Sequence, residues 1–366
     1  MEEKKYSLPE YPVSTDMWDA LAADSRPIVV YGMGNGADKL FLRLETLGIR
    51  VAEVFASDGF VRGHSFRGYR VKSFSEIKET YSDFIILLSF ASSRSEVLEL
   101  LSDMDKNYEM YIPDMPVAGE EYFDRAHYNS HYAEIKEAFE ALADEDSRRI
   151  FSSVVRYKLS GKMEYLTEGS STVDDIFSLL PTDKIYEMAD LGAYNGDTVR
   201  EAISRFPNLA RVTALEPDPK NFKRLLRYAE GENRIDLRCI NAAAWSGTGS
   251  ADFISSGNRN SSVSSTASYK HKDTEIPLVA LDCLEINPDY IKYDVEGAER
   301  EALVGSLETI RRAKSSLLVS VYHRSADIYE ITNMLARELP EYDKYMRRPM
   351  CTPAWEIDLI LVKKGR

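Results

Sequence analysis

Apolar and polar positions alternate along this chain in two stretches of strand-and-helix character, with a purely helical stretch between them. After Arg26-Pro27 an apolar run, Ile28-Val29-Val30-Tyr31, ends in Gly32-Met33-Gly34-Asn35-Gly36-Ala37, the pattern of a strand entering a glycine turn. Leu40, Phe41, Leu44 and Leu47 then recur at helical spacing up to Gly48, and Val51 to Phe55 predicts a second strand closing at Ser57-Asp58. Phe84 to Leu88 repeats the strand pattern, and Val97, Leu98, Leu100 and Leu101 repeat the helical one. Residues 26–118 therefore read as a small doubly wound α/β domain, preceded by an acidic arm over residues 1–25.

From Gly119 to Lys184 the period is helical throughout, with Ile135, Phe139, Leu142, Ile150, Phe151, Val154 and Val155 as its apolar markers. This predicts a helical connector. Beyond it, Met188 to Leu191 enters a second glycine turn, and apolar runs at Val212–Leu215, Leu237–Ile240, Tyr290–Tyr293 and Leu317–Val321 alternate with helical segments over residues 185–366. The fold class expected is two doubly wound Rossmann-like α/β domains joined by helices. Within the second, Ser255 to Ser268 is rich in Ser, Asn and Gly and reads as a mobile loop or a plain solvated linker.

Composition adds limits. The chain has 366 residues, 44% hydrophobic and 29% charged, which excludes long disorder. Its net charge of -14 opposes a phosphate backbone, so nucleic acid is not an expected partner. That charge is uneven, with most of the acidic excess in the arm and the connector, which predicts solvated or docking faces there. Cys239, Cys283 and Cys351 are far apart and form no metal-binding spacing, so they read as reduced core thiols. With no run of 18 apolar residues and no targeting segment, a soluble cytoplasmic protein without membrane insertion is expected.

The chemistry concentrates in Asp190-Leu191-Gly192-Ala193-Tyr194-Asn195-Gly196-Asp197-Thr198. An acid ends a strand, and two glycines then let backbone approach a ligand before a helix begins. Glu216, about 20 residues after Gly196, closes the next strand where a carboxylate can accept hydrogen bonds from two ribose hydroxyls. Asp197 follows Gly196 where a dinucleotide fingerprint wants a small residue, and a carboxylate there opposes a pyrophosphate. S-adenosylmethionine has no phosphate and carries a sulfonium and an ammonium, so acidic neighbours suit it. Asn241-Ala242-Ala243 offers a small polar edge for its adenine.

These motifs, with Glu216-Pro217, Leu281-Asp282, Tyr290 to Glu299 and Ser320-Val321-Tyr322-His323-Arg324, resemble the FkbM-type family of class I S-adenosylmethionine-dependent methyltransferases over residues ~185–362. The resemblance implies a class I methyltransferase sheet and cofactor contacts at Asp190, Gly192, Ala193, Asn195, Gly196 and Glu216, with Asn241 and Ala242 near adenine; Tyr194 belongs to the same turn. It also implies O-methylation of hydroxyls on sugars, glycans or secondary metabolites. Arg347-Arg348-Pro349 departs from the Arg-His pair expected of the family.

Asp294 and His323 end two strands and can share the crevice where open α/β sheets bind ligands. A hydroxyl must lose its proton as a methyl group arrives, which makes His323 the candidate base with Asp294 orienting it. Lys292 and Glu296 are expected to turn onto other faces or into the loop. Asp282, Asp294, Glu296 and Glu299 also offer oxygen ligands to a divalent ion, but a solvated acidic helix start accounts for them more cheaply, so a metal is an open but not the favoured reading. Gly32, Gly34 and Ala37 with Asp58 match a dinucleotide pattern, open to a structural or dimerising role, a nucleotide-sugar site or a redox cofactor. The competing functions are an NAD-linked oxidoreductase and a binding protein for S-adenosylmethionine or nucleotide sugar without turnover. A homodimer is compatible with the sequence.

Overall fold

A computed structural model describes residues 6, 8–9, 12–61, 63–254, 262–263 and 274–365. Five strands, β1 (Ile28–Tyr31), β2 (Val51–Ala56), β3 (Lys72–Ser73), β4 (Ile85–Leu88) and β5 (Glu109–Tyr111), form a parallel sheet in the order β3-β2-β1-β4-β5. Helix Asn35–Thr46 carries the apolar period read from the sequence, burying Ala37, Leu40, Phe41 and Leu44 against this sheet.

The second sheet has seven strands: β6 (Glu187–Leu191), β7 (Arg211–Leu215), β8 (Asp236–Ile240), β9 (Tyr290–Tyr293), β10 (Ser316–Ser320), β11 (Tyr342–Arg347) and β12 (Asp358–Lys363). Their order is β8-β7-β6-β9-β10-β12-β11, parallel except that β12 runs antiparallel to both its neighbours. The order reverses between β6 and β9, so the crevice at their carboxyl ends is the topological switch point. A smaller sheet lies beside it, and of the stretch Ser255 to Ser268 only Ser262 and Val263, paired with Ile254 and Phe253, fall within the described residues.

The segment between the sheets is helical, and its long member, Glu145–Ser160, is buried along most of its length. Phe151 and Val155 join one core with Val29 and Ile86 of the first sheet and Leu317 and Leu359 of the second. The long helix of the acidic connector is thus an internal layer, whereas Glu134, Glu137, Glu140, Asp174 and Asp175 elsewhere in the connector are exposed. At the start of the long helix Asp144, Glu145 and Asp146 place negative charge where it suits the helix dipole. Arg347 donates to Asp144 at 2.7 Å and the Met346 N–H to Ser147 at 2.8 Å, fastening that helix to β11. The cysteines are not uniformly core thiols: Cys351 is buried, Cys239 half-buried and Cys283 exposed, and all three are free. Among the described residues no helix is long and apolar enough to cross a membrane.

The two units meet at their strand ends. Ser92, just past β4, and Thr352 exchange backbone hydrogen bonds of 2.8 and 2.9 Å. The Ala118 N–H donates to the His323 carbonyl at 2.8 Å, and within the first unit Lys39 holds the segment leading to Ala118 by donating to the carbonyls of Pro116 and Val117 at 2.6 and 2.8 Å.

Candidate functional site

A cavity of about 440 Å³ opens at the carboxyl ends of β6, β7, β9 and β10. Gly192 shapes its floor. With φ +94°, a Cβ at this position would stand 1.8 Å from the Asp294 carbonyl oxygen, so only glycine lets the two strand ends pass. The N–H groups of Gly192 and Ala193 both bond to Leu215 O, at 3.0 and 2.9 Å, and Gly196, at φ +84°, starts the helix Asp197–Arg205.

Asp190 lies beneath this turn, fully buried, and neither carboxylate oxygen has a hydrogen-bond partner among the described residues. Burial pushes its carboxyl up to about 7, against the pull of Lys292. Glu216 receives the N–H of Tyr194 on one oxygen and that of Asp218 on the other, both at 2.8 Å, and burial likewise raises it to about 7. A buried acid with no described hydrogen-bond partner, and a second held by one N–H on each oxygen, leave acceptor capacity for a cationic ligand or for ribose hydroxyls.

Gly192, Tyr194 and Glu216 line the cavity, while the other expected cofactor residues stand behind that wall. Ala193 is buried, and the Asn195 side-chain carbonyl is taken by Arg200 at 2.9 Å. The Asn241 amide donates to the carbonyls of Glu216 and Pro217 at 2.7 and 3.1 Å, holding the β7 end in place, and Ala242 is buried. Of the small edge expected at Asn241-Ala242-Ala243 only Ala243 lines the cavity, joined by Ala244.

On the opposite side, Asp294 and His323 do come together, with His323 Nε2 3.5 Å from Asp294 Oδ1. Lys292 and Glu296 join them, which corrects the expectation that they point away. Residues 292 and 294 are two apart and share a strand face, and Lys292 Nζ donates to Asp294 Oδ2 at 2.9 Å. Glu296 Oε2 is 3.6 Å from His323 Nε2. A residue not assigned from the sequence lies underneath: Glu299, buried, 2.9 Å from His323 Nδ1 and accepting from the N–H groups of Val295 and Gly297 at 2.9 and 3.1 Å. Glu299 read as an acid at a helix start, and only the fold turns it inward.

Burial alone would lower the imidazole pKa. Glu299, Glu296 and Asp294 outweigh it and raise His323 to about 10. His323 is therefore an imidazolium at neutral pH, which changes the role expected of it. Burial opposes the charge on Lys292 too, but Asp294 and Asp190 raise its pKa.

The first glycine turn is built differently. Asp58 accepts from the Phe74 N–H at 2.8 Å and from the Ser75 hydroxyl at 2.7 Å, so it adds to the cap of the helix Phe74–Thr80, whose N-cap residue is Ser73. A Cβ on Gly32 would meet Ser89 Oγ at 2.7 Å and the Phe90 ring at 2.8 Å, and one on Gly36 would meet Ser89 O at 2.3 Å. Gly32 and Gly36 thus admit Ser89 and Phe90, while a Cβ on Gly34 would meet no described atom within 4 Å. Arg348 is buried against the carbonyls of Gly169, Leu166 and Cys351, so the departure at this position serves packing. Among the described residues no group of three or more His, Cys, Asp or Glu side chains is arranged to hold a metal ion.

Comparison with known proteins decides which family uses this crevice. Residues 190–348 match the methyltransferase FkbM domain. The second unit is thus similar to FkbM methyltransferase domains. A solved methyltransferase FkbM from Methylobacillus flagellatus KT is similar in fold over 96% of this chain and 95% of its own, at 20% identity and a TM-score of 0.70. A precorrin-6y C5,15-methyltransferase from Geobacter metallireducens GS-15 matches 55% of this chain and 87% of its own at 14% identity, with a TM-score of only 0.32. No curated protein matches the chain. The matched residues run from Asp190 to Arg348, so they include the glycine turn and the Asp294–His323 cluster.

Proposed function

We propose that the protein is an S-adenosylmethionine-dependent O-methyltransferase acting on a hydroxyl of a sugar, glycan or secondary metabolite. The observation that carries this reading is the pairing within one cavity of an acid-floored glycine turn with a carboxylate cluster at the ends of β9 and β10. S-adenosylmethionine, when bound, supplies the methyl group from its sulfonium. The residues present fit it: Asp190 and Asp197 offer negative charge to its cationic end, and Glu216 offers carboxylate oxygens to ribose hydroxyls.

The rest is done by the chain itself. With His323 charged at neutral pH, the proton leaving an acceptor hydroxyl goes to the Asp294 carboxylate. The Lys292 ammonium and the His323 imidazolium hold that carboxylate from two sides, and Glu299 fixes the imidazolium from below. The test is mass spectrometry of glycans and hydroxylated metabolites incubated with the protein and S-adenosylmethionine. Methyl gain on a hydroxyl is expected, and Asp294→Asn should slow it roughly 10²–10⁴-fold with the affinity for S-adenosylhomocysteine unchanged. The pH–rate profile assigns the base. Activity should hold through neutral pH and fall as the pH passes about 10. A rate that climbs toward that value would return the role of base to His323.

A further inference from the structure

Part of the cavity wall comes from the first unit: Ala91, Ser92, Ser93 and Val117 line it together with Tyr322 and Trp355 of the second. Val117 belongs to residues 112–124, which follow β5 without regular secondary structure. Pro113 and Pro116 lack backbone N–H groups and favour an extended path, so this segment is held by what surrounds it rather than by a ladder of its own.

Two lysines supply the hold. Lys158 of the long connector helix pairs with Asp114, and Lys39 donates to the carbonyls of Pro116 and Val117 at 2.6 and 2.8 Å. Both Lys39 bonds are charge-assisted, the stronger kind, and they fix two successive peptide groups. Lys39 stands three residues after Gly36, early in the helix Asn35–Thr46 that the first glycine turn opens. Burial pushes its pKa down and Glu296 pulls it up, so its charge is felt at the carboxylate cluster.

The next residue carries that hold into the site. The Ala118 N–H donates to the His323 carbonyl at 2.8 Å, and a Cβ on Gly297 would stand 2.6 Å from the Ala118 Cβ. Arg324 Nε donates to the Gly297 carbonyl at 2.8 Å, and Ser325 Oγ to the Glu121 carbonyl at 2.6 Å. Ala118 therefore lies against both loops of the cluster, the one after β9 that carries Asp294 and Glu296 and the one after β10 that carries His323. Glu299 and Asp294 flank the imidazole, and the Ala118 bond fixes the backbone beneath it.

We propose, resting on the methyltransferase reading of this cavity, that Lys39 is a positioning residue for methyl transfer: through residues 116–118 it sets the placement of the Asp294 loop against the His323 loop. Methyl transfer needs the accepting carboxylate, the acceptor oxygen and the sulfonium in one arrangement, and a displacement of about 1 Å in such an arrangement costs on the order of 10²-fold in rate. The first unit then acts on the reaction from outside the cavity.

The test compares the full chain with Lys39→Met, which keeps an apolar stem and removes the donors, and Lys39→Arg, which restores donors. Hydrogen exchange with S-adenosylhomocysteine present needs no acceptor. In Lys39→Met, peptides over 295–299 and 321–326 should exchange faster by about tenfold or more, while 192–198 keeps its wild-type rate. With an acceptor from the mass-spectrometric screen, kcat should fall roughly 10–10²-fold and KM for S-adenosylmethionine should stay within about twofold. Lys39→Arg should recover both. Should Lys39→Met not fold, Ala118→Pro, which removes the N–H given to His323 and leaves Lys39 in place, carries the same prediction. Faster exchange confined to the first unit, an even rise over both units, an unchanged kcat, or a loss that Lys39→Arg does not recover would overturn the proposal. Calorimetry of the wild-type chain with S-adenosylhomocysteine separates the two readings. If the product does not bind, the cofactor reading fails; if it binds and 295–299 and 321–326 exchange at the wild-type rate in Lys39→Met, only the role of Lys39 fails.

Discussion

The two glycine turns of this molecule begin alike and end differently. Each follows the first strand of a parallel sheet, opens a helix, and has an acid just past the next strand, Asp58 in one unit and Glu216 in the other. At the first turn Ser89 and Phe90 close over Gly32 and Gly36, Phe90 packs edge-on against Tyr31, and Asp58 adds to the cap of a helix. At the second, the strand beside the turn delivers Asp294 and Lys292 to the cavity rim, leaving an opening above the buried Asp190, which has no hydrogen-bond partner among the described residues. A glycine turn therefore specifies a backbone path. Whether it holds a ligand depends on what the neighbouring strand end places over it.

The sharpest way to break this comparison is Gly192→Ala against Gly32→Ala. At Gly192 the new Cβ meets a backbone oxygen at 1.8 Å, whereas at Gly32 it meets side-chain atoms that can move. Both substitutions also strain a left-handed backbone. Denaturant unfolding should show Gly192→Ala to be the more costly by several kcal/mol, on the order of 2–4. Equal losses would mean that the two turns are equally committed.

Next in size is Asp190→Asn. Its folded pKa, about 7, lies above the ordinary value of 3.8, so the folded state holds the proton more tightly than the unfolded chain. The stability this contributes is complete below the ordinary value and is lost as the pH rises through about 7. Asn removes the buried charge, so the ligand-free variant should gain roughly 1–3 kcal/mol above that pH while losing affinity for S-adenosylhomocysteine. Thermal unfolding across pH checks the first effect and calorimetry the second. A gain in stability without a loss of affinity would make the acid structural.

His323 acts in the same direction at higher pH. Its pKa is raised from 6.5 to about 10, so its contribution is complete below the lower value and fades as the pH climbs to the upper one. His323→Gln should flatten the alkaline side of the stability profile. Smallest of all, Asp58→Ala should cost about 1 kcal/mol, the worth of a helix cap, and leave the affinity for S-adenosylhomocysteine unchanged.

Much of this was legible in the chain because it depends on local pattern. Strands β1, β2, β4 and β6 to β10 follow from apolar runs bounded by turn residues, while β3, β5, β11 and β12 are not among those runs; the positions of Asp294 and His323 at adjacent strand ends follow from strand order at the switch point. Lys292 could have been found from the two-residue period that puts it on the face of Asp294. Glu299 could not, because it became the partner of His323 only when the loop after β9 folded back over β10. Ser92 and Trp355 are distant in sequence, and only tertiary packing brings the strand end of one sheet against the C-terminal loop of the other. Asp58 misled for a reason of chemistry: a carboxylate after a strand serves a helix N-terminus as readily as a ribose.

The central claim is that the second turn, and not the first, holds the cofactor, and calorimetric titration of the full chain with S-adenosylhomocysteine tests it most directly. One saturable site is expected, weakened by about tenfold or more in Glu216→Ala and unchanged in Asp58→Ala. The account would be contradicted by no binding at all, or by binding that survives at Glu216 and disappears at Asp58.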